Sequence, residues 1–117
     1  MKDLGLSKKE VSNAFELALN EYIAFREDVL NEGAKALKYA EDNNKNIILL
    51  AGRPYHIDPE VNHGIPKLLR SLGVVVISED SINTSADQEK VNVLNQWTYH
   101  TRLYDSAKYI SEIDNYL

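Results

Sequence analysis

The side chains able to carry chemistry are concentrated in one loop, residues 52–64, and in two shorter segments that follow it. The loop reads GRPYHIDPEVNHG and contains one arginine, one tyrosine, two histidines and two carboxylates. Binding and catalytic groups are found disproportionately on loops that a rigid scaffold positions. The candidate ligand-binding residues are therefore Arg53, Tyr55, His56, Asp58, Asn62, His63, Glu79, Asp80, His100 and Arg102.

Three interpretations of the first loop remain open from the sequence. Arg53, together with the N–H groups at the start of the following helix, could bind an anion or a nucleotide ester. His56, Asp58 and His63 could hold zinc or iron, although their spacing matches no HExxH-type motif. Alternatively, His56 and Asp58 brace the loop while Tyr55 packs on it. The glycines form neither GxGxxG nor GxxxxGK[ST], so no nucleotide motif is present.

The two later segments also allow more than one role. Glu79 and Asp80 could be an acid/base pair, a solvated acidic turn, or partners of Arg53 in an ion pair. The segment QWTYHTR places Trp97 in the predicted core. Tyr99, His100 and Arg102 either line the same crevice as the first loop or lie on the surface. The sequence assigns no catalytic residue.

Two short apolar runs, residues 47–51 and 74–77, position these segments. Wholly apolar runs bounded by glycine and polar residues are typical of strands buried in a parallel sheet. With the helix between them they predict a βαβ unit, in which ligands bind beyond the carboxyl ends of the strands. The predicted fold class is therefore α/β, with a small Rossmann-like core and both polar segments at one edge of the sheet.

Helical spacing surrounds this unit. A capping box of Ser7 and Glu10 begins a long amphipathic helix that ends near residue 43, with Gly33 as the expected break if it is two helices. If it is continuous, part of its apolar stripe needs a partner, such as a second copy in a homodimer. A helix starting near Asp58 or Pro66 is expected to bury the apolar residues Ile65, Leu68, Leu69 and Leu72, and a last helix runs from residue 88, most firmly over 98–115.

Composition limits the classes of function. The chain has 117 residues, a net charge of -5 and no cysteine. A single domain is expected, nucleic-acid and membrane binding have little support, and no iron–sulfur or zinc-thiolate site can form from this chain alone. The absence of cysteine and of a signal-peptide pattern fits a cytoplasmic location.

Two segments, AGRPYHIDPEVNHGIPKLLRSLGVVVISEDSI and VLNQWTYHTRLYDSAKYI, closely resemble the CoA-substrate-specific enzyme activase family, the large activators of 2-hydroxyacyl-CoA dehydratase. The resemblance covers roughly residues 46–110 and implies a piece of a much larger multidomain protein, from its dehydratase-component-like region. It implies an ATP-driven electron donor with a 4Fe–4S cluster, serving 2-hydroxyacyl-CoA dehydratase or aryl-CoA reductase in anaerobes. The partners implied are the other activase domains and the dehydratase components, and no catalytic residue carries over to this chain.

Overall fold

The structure is a computed structural model that describes residues 5–84 and 97–113. Over these ranges the chain forms three helices, one two-stranded sheet and two 3₁₀ turns, and none of its helices is long and apolar enough to cross a bilayer. The helices and strands in chain order are α1 (Lys8–Asp42), β1 (Ile47–Leu50), α2 (Ile65–Ser71), β2 (Val75–Ser78) and α3 (Thr98–Ser111), and the 3₁₀ turns are Pro54–Ile57 and Glu79–Ser81.

The two strands are parallel, as their apolar composition predicted. Ile47 pairs with Val75 and Leu50 pairs with Ser78, so both strands end at the same edge of the sheet. The connection between them passes through α2, which packs on β2. The α/β class and the parallel pairing are confirmed, and the loops after β1 and β2 emerge side by side.

Helix α1 is a single helix of 35 residues, and Gly33 does not break it. The predicted capping box is present: the Ser7 hydroxyl accepts the Glu10 N–H at 3.3 Å, and the Glu10 carboxylate accepts the Ser7 N–H at 2.8 Å. Gly33 is buried under the 3₁₀ turn after β2, where a Cβ would collide with the carbonyl oxygen of Ser81. The glycine therefore serves close packing rather than helix termination.

The core lies where α1 and α3 meet one face of the sheet. It contains five buried apolar side chains: one each from α1, α3, β1 and β2, and one from the segment after β2. Burying one large aliphatic side chain stabilises the folded state by roughly 1.5–3 kcal/mol. The buried members are Ala40, Ile47, Ile77, Ile82 and Ile110.

Of the two starts predicted for α2, the one near Pro66 is confirmed and the one near Asp58 is wrong, because residues 59–64 form turns and α2 begins at Ile65. The prediction for its buried face was wrong. Its expected buried face is largely exposed, since Ile65, Leu68 and Leu72 face solvent and only Leu69 is half-buried. The two strands that the structure describes offer too little surface to cover this face of α2.

Trp97 was predicted to be a core residue, and this was also wrong. Its side chain is 63% exposed. Trp97 is the N-cap of α3, with an extended backbone, so it precedes the helical face that packs on the sheet. The earlier part of the predicted last helix, residues 88–96, lies outside the described residues, and α3 ends at Ser111 within the predicted range of 98–115.

Replacing Gly33 with alanine should have two opposing effects on stability, one from helix propensity and one from packing. In an exposed helix interior this change stabilises by about 1 kcal/mol, but here the new methyl group meets Ser81. We expect a net loss of roughly 1–3 kcal/mol in the free energy of unfolding, measured in urea. Asn20→Ala, at an exposed position of α1, is the matched control and should be neutral or slightly stabilising; a stabilised Gly33→Ala variant would contradict the close packing.

Candidate functional site

The loop after β1 folds back on its own backbone. Pro54 disfavours a helical conformation at Arg53, which is extended with φ -66° and ψ 153°. The N–H of Arg53 donates to Nδ1 of His56 at 2.9 Å, and the N–H of His56 donates to the Arg53 carbonyl at 2.8 Å. A Cβ on Gly52 would collide with the His56 ring. The glycine, proline and histidine of GRPYH are therefore explained by the geometry of one tight turn.

The second half of the loop is held by side-chain caps. Asp58 accepts the N–H of Glu60 at 2.8 Å, and Asn62 accepts the N–H of Gly64 at 2.9 Å. His63 and Gly64 then take left-handed conformations, with φ 53° and 77°, which turn the chain into α2. Short polar side chains that bond their own backbone are the usual means of building such turns.

The loop therefore divides its polar groups between structure and surface. His56, Asp58 and Asn62 each accept a hydrogen bond from a backbone N–H group. His56 and Asp58 therefore brace the loop, as one of the three interpretations predicted. Arg53, Tyr55 and His63 are exposed, and the Tyr55 ring contacts the edge of the His56 ring at 4.5 Å between centroids. Across residues 5–84 and 97–113, no three histidine and acidic side chains are placed to hold a metal ion.

The loop after β2 is organised by a buried ion pair. Glu79 is only 4% exposed, and its two carboxylate oxygens accept from Nε and Nη2 of Arg102 at 2.5 and 2.8 Å. The buried Ser106 hydroxyl donates to the Glu79 carbonyl at 3.1 Å. Hydrogen bonding to Glu79 raises the pKa of Arg102, so the guanidinium stays charged. The expectation of a solvated acidic turn was wrong for Glu79, and its cationic partner is Arg102 rather than Arg53.

Asp80 has a local role in the same turn. Its carboxylate accepts the Ser78 hydroxyl at 2.5 Å, and the Ser81 hydroxyl donates to the Ser78 carbonyl at 2.7 Å. Glu79 and Asp80 therefore engage different partners, and no contact joins them as an acid/base pair. Their geometry is that of a closed turn between β2 and the segment that follows.

Tyr99 links the two loops. The guanidinium carbons of Arg53 and Arg102 each lie 5.5 Å from the centroid of its ring. Such cation–π contacts contribute roughly 0.5–1 kcal/mol at exposed sites. Tyr99 was predicted either to line the same crevice as the Arg53 loop or to lie on the surface, and the structure places its ring beside Arg53. It lies three residues before Arg102 and so on the same side of the helix. We call Arg53, Tyr99, Arg102 and Glu79 the rim.

The rim contains two enclosed polar atoms. The hydroxyl of Tyr99 and Nδ1 of His100 are buried with no hydrogen-bond partner among the described residues. Burial, and secondarily the charge of Glu79, raises the pKa of the Tyr99 hydroxyl. His100 does not point its Nδ1 into an open crevice, and its ring meets the Tyr99 ring edge-on at 6.1 Å between centroids.

The charges of the rim are unequal. Arg102 is neutralised by Glu79, whereas Arg53 forms no ion pair with any carboxylate of the described ranges. An exposed guanidinium of this kind suits a phosphate or carboxylate. Cavities of about 530 and 500 Å³ lie away from the rim, one beside β2 and the other between α1 and α3.

The fold and the rim define a small parallel α/β domain with its polar groups at the carboxyl edge of the sheet. The chain belongs to the CoA enzyme activase family, since the family described as CoA enzyme activase uncharacterised domain matches residues 1–82. The match runs from α1 to the turn after β2, and α3, with Tyr99 and Arg102, lies beyond it. No curated protein matches the chain, and no solved structure matches it either.

Breaking the buried ion pair from its two sides should have unequal effects. Arg102→Met leaves the Glu79 carboxylate buried without a cation, and we expect a loss of about 3–5 kcal/mol in the free energy of unfolding. Glu79→Gln should cost less, because Arg102 is the more exposed partner and keeps access to water. Lys35→Met is the control: it breaks a solvent-exposed pair with Glu32 and should cost far less than Arg102→Met. Equal losses for Arg102→Met and Lys35→Met would refute the role of burial.

Removing the hydroxyl of Tyr99 should stabilise the protein. Tyr99→Phe keeps the ring under both arginines and deletes a buried group without a partner, a gain of roughly 1 kcal/mol. Because the folded pKa is raised above 10.0, the wild type should lose stability as the pH rises past 10, where only the unfolded phenol ionises. Urea unfolding at pH 8 and pH 10.5 should therefore show a larger advantage for Tyr99→Phe at the higher pH. Tyr55→Phe, at an exposed ring, is the control and should show neither effect.

Proposed function

We propose that this chain is a non-catalytic α/β module of a CoA-substrate-specific enzyme activase, the ATP-dependent electron donor to 2-hydroxyacyl-CoA dehydratase or aryl-CoA reductase. The observation that carries the proposal is the family match over residues 1–82. The module would work in the cytoplasm of an anaerobe as part of a larger multidomain protein. The described residues offer no cluster of metal ligands, which leaves a stand-alone metal-binding role without support.

The cofactors of such an activase do not fit this chain. A 4Fe–4S cluster is held by cysteine thiolates, and the sequence contains no cysteine. ATP binding by a P-loop or a dinucleotide fold requires glycine patterns that the chain lacks. Nucleotide and cluster would therefore be supplied by other domains of the parent protein, and the module's contribution would be structural contact.

The outer edge of β2 supports docking within a larger sheet. The N–H of Val75 bonds to the Asn46 carbonyl on the β1 side, so Val76 directs its backbone groups to the opposite edge. The 530 Å³ cavity is lined by residues 73–76, by residues of α1, and by Lys45 and Arg70. We propose that another strand of the parent protein pairs here and completes a Rossmann-like sheet.

The rim would then face a crevice between this module and its neighbour. Parallel sheets place their binding groups beyond the carboxyl ends of the strands, and Arg53 is the exposed cation at that edge. We propose that Arg53, with Tyr55 and His63 nearby in the loop, contacts an anionic group of the adjoining domain or of a bound ligand. His56 and Asp58 would serve this contact by holding the loop.

A truncated activase tests the proposal. A CoA enzyme activase lacking the region that matches residues 1–82 should bind the purified chain in isothermal titration. Addition of the chain should also restore the ability of this truncated activase to reduce its dehydratase with ATP. The chain alone should neither hydrolyse ATP nor take up iron during anaerobic cluster reconstitution. ATP hydrolysis by the chain, or failure to bind the truncated activase, would overturn the proposal.

A matched pair of variants separates the edge contact from general folding. Val76→Pro removes only an N–H that faces away from β1, a position where edge strands tolerate proline. It should keep the circular dichroism spectrum and weaken binding to the truncated activase by about tenfold or more. Val76→Thr retains the N–H and should bind as the wild type does. Equal binding by both variants would place the docking contact elsewhere.

A further inference from the structure

Two cations line the cavity beside β2 without a carboxylate partner. Lys45 and Arg70 both border this cavity of about 530 Å³. Lys45 is half-buried and Arg70 is exposed, and neither forms an ion pair with any carboxylate of residues 5–84 and 97–113. A partly enclosed ammonium group is stabilised when a carboxylate meets it. The cavity therefore suits a negatively charged group.

The other charges of the cavity do not supply that group. Among the described residues that line it, Glu32 is the one carboxylate, and it is already bonded to Lys35 at 2.6 Å. The lining thus carries three cations and one anion, in a chain whose net charge is -5. This local excess of positive charge favours a partner of the opposite sign.

Both unpaired cations lie at the amino end of β2. Nζ of Lys45 is 4.0 Å from the position that a Cβ on Gly73 would occupy. The Gly73 N–H donates to the carbonyl of Arg70 at 3.0 Å, and β2 begins two residues later at Val75. The rim lies at the opposite, carboxyl end of the strands. Because ligands of parallel α/β sheets bind beyond the carboxyl ends, the two cations are placed for docking rather than for ligand binding.

The backbone of β2 determines the conformation of the partner. Val76 directs its N–H and carbonyl to the outer edge, whereas Val75 bonds towards β1. An extended chain matches hydrogen-bonding groups with this spacing, as in β-augmentation. A strand that pairs with Val76 therefore has one of its ends beside Lys45 and Arg70.

We propose that the strand completing the sheet at β2 carries an aspartate or glutamate at its amino end, and that this carboxylate binds Lys45 and Arg70. The inference rests on the proposed docking at the edge of β2, and it adds the charge and the position of the partner residue. A parallel strand, as in a Rossmann-like sheet, places its amino end beside Gly73. The contact also fixes the register, because a slip of two residues moves the carboxylate by about 7 Å.

Charge variants of the chain test the proposal in binding to the truncated activase. The double variant Lys45→Gln/Arg70→Gln should weaken binding by about tenfold and reduce its dependence on salt. The control Lys8→Gln/Lys9→Gln removes the same charge at the start of α1, roughly 35 Å from Glu32 along the helix, and should bind as the wild type does. Circular dichroism should show that both variants keep the fold. Equal binding by the two double variants would overturn the acidic partner.

Carbodiimide cross-linking identifies the partner group directly. The reagent joins the ε-amine of a lysine to a carboxylate through an amide bond and takes up the water that is lost. Mass spectrometry of the complex should find Lys45 joined to an aspartate or glutamate whose following residues have the apolar pattern of a strand. Lys45→Arg should keep the affinity and lose this cross-link. Cross-links confined to other lysines, such as the exposed Lys67 of α2, would contradict the proposed contact.

The variants at Val76 distinguish this proposal from the docking on which it rests. If Val76→Pro weakens binding and the charge variants do not, a strand still docks at the edge and the acidic residue is wrong. If the charge variants act and Val76→Pro does not, the partner is acidic but is not a strand paired with β2. If the chain does not bind the truncated activase at all, the docking itself is wrong.

Two measurements on the chain alone examine other occupants of the cavity. Titration with inorganic phosphate should give no saturable binding, and sedimentation equilibrium should show a monomer. Phosphate binding that is lost in Lys45→Gln/Arg70→Gln would identify a small-anion site. A dimer that Val76→Pro dissociates would identify a second copy of the chain, and either result would refute the assignment of an acidic strand.

Discussion

The ion pair between Glu79 and Arg102 fixes the arrangement of the carboxyl edge. A carboxylate this deeply buried is costly unless a cation meets both of its oxygens, and Arg102 does so. Glu79 follows β2 directly, so the pair sets the position of α3 relative to the sheet. Tyr99, one turn earlier on α3, is thereby brought beneath Arg53 of the other loop. The order of the rim therefore depends on this ion pair.

The same 3₁₀ turn that supplies Glu79 also fixes α1. Its last residue, Ser81, lies against the buried Gly33 so closely that any side chain there would collide with it. A turn of three residues thus holds α3 through a charge and α1 through a steric fit. This explains why the two helices share one face of a sheet that has only two strands among the described residues. Loss of either contact would affect the other helix through the turn.

The sequence predicted the features that local chemistry determines. The capping box at Ser7 and the parallel strands follow from spacing and composition alone. The ion pair of Glu79 was not predicted correctly, because its partner lies 23 residues later and on another element. The role of the loop GRPYH was also ambiguous, because the sequence does not distinguish a histidine that caps a backbone N–H from one that binds a ligand. The binding roles of the loop residues stay predictions.

The errors about burial share a physical cause. Periodicity identifies a face that must be covered but not what covers it, so Leu68, Leu72 and Trp97 were assigned to a core that does not reach them. Two strands seldom support a stable domain unless both faces are covered, and here the face under α2 is largely open. Apolar faces that no described residue covers are costly in water. Such faces lie on α1 and α2, and the sequence pattern alone could not show that the described residues leave them open.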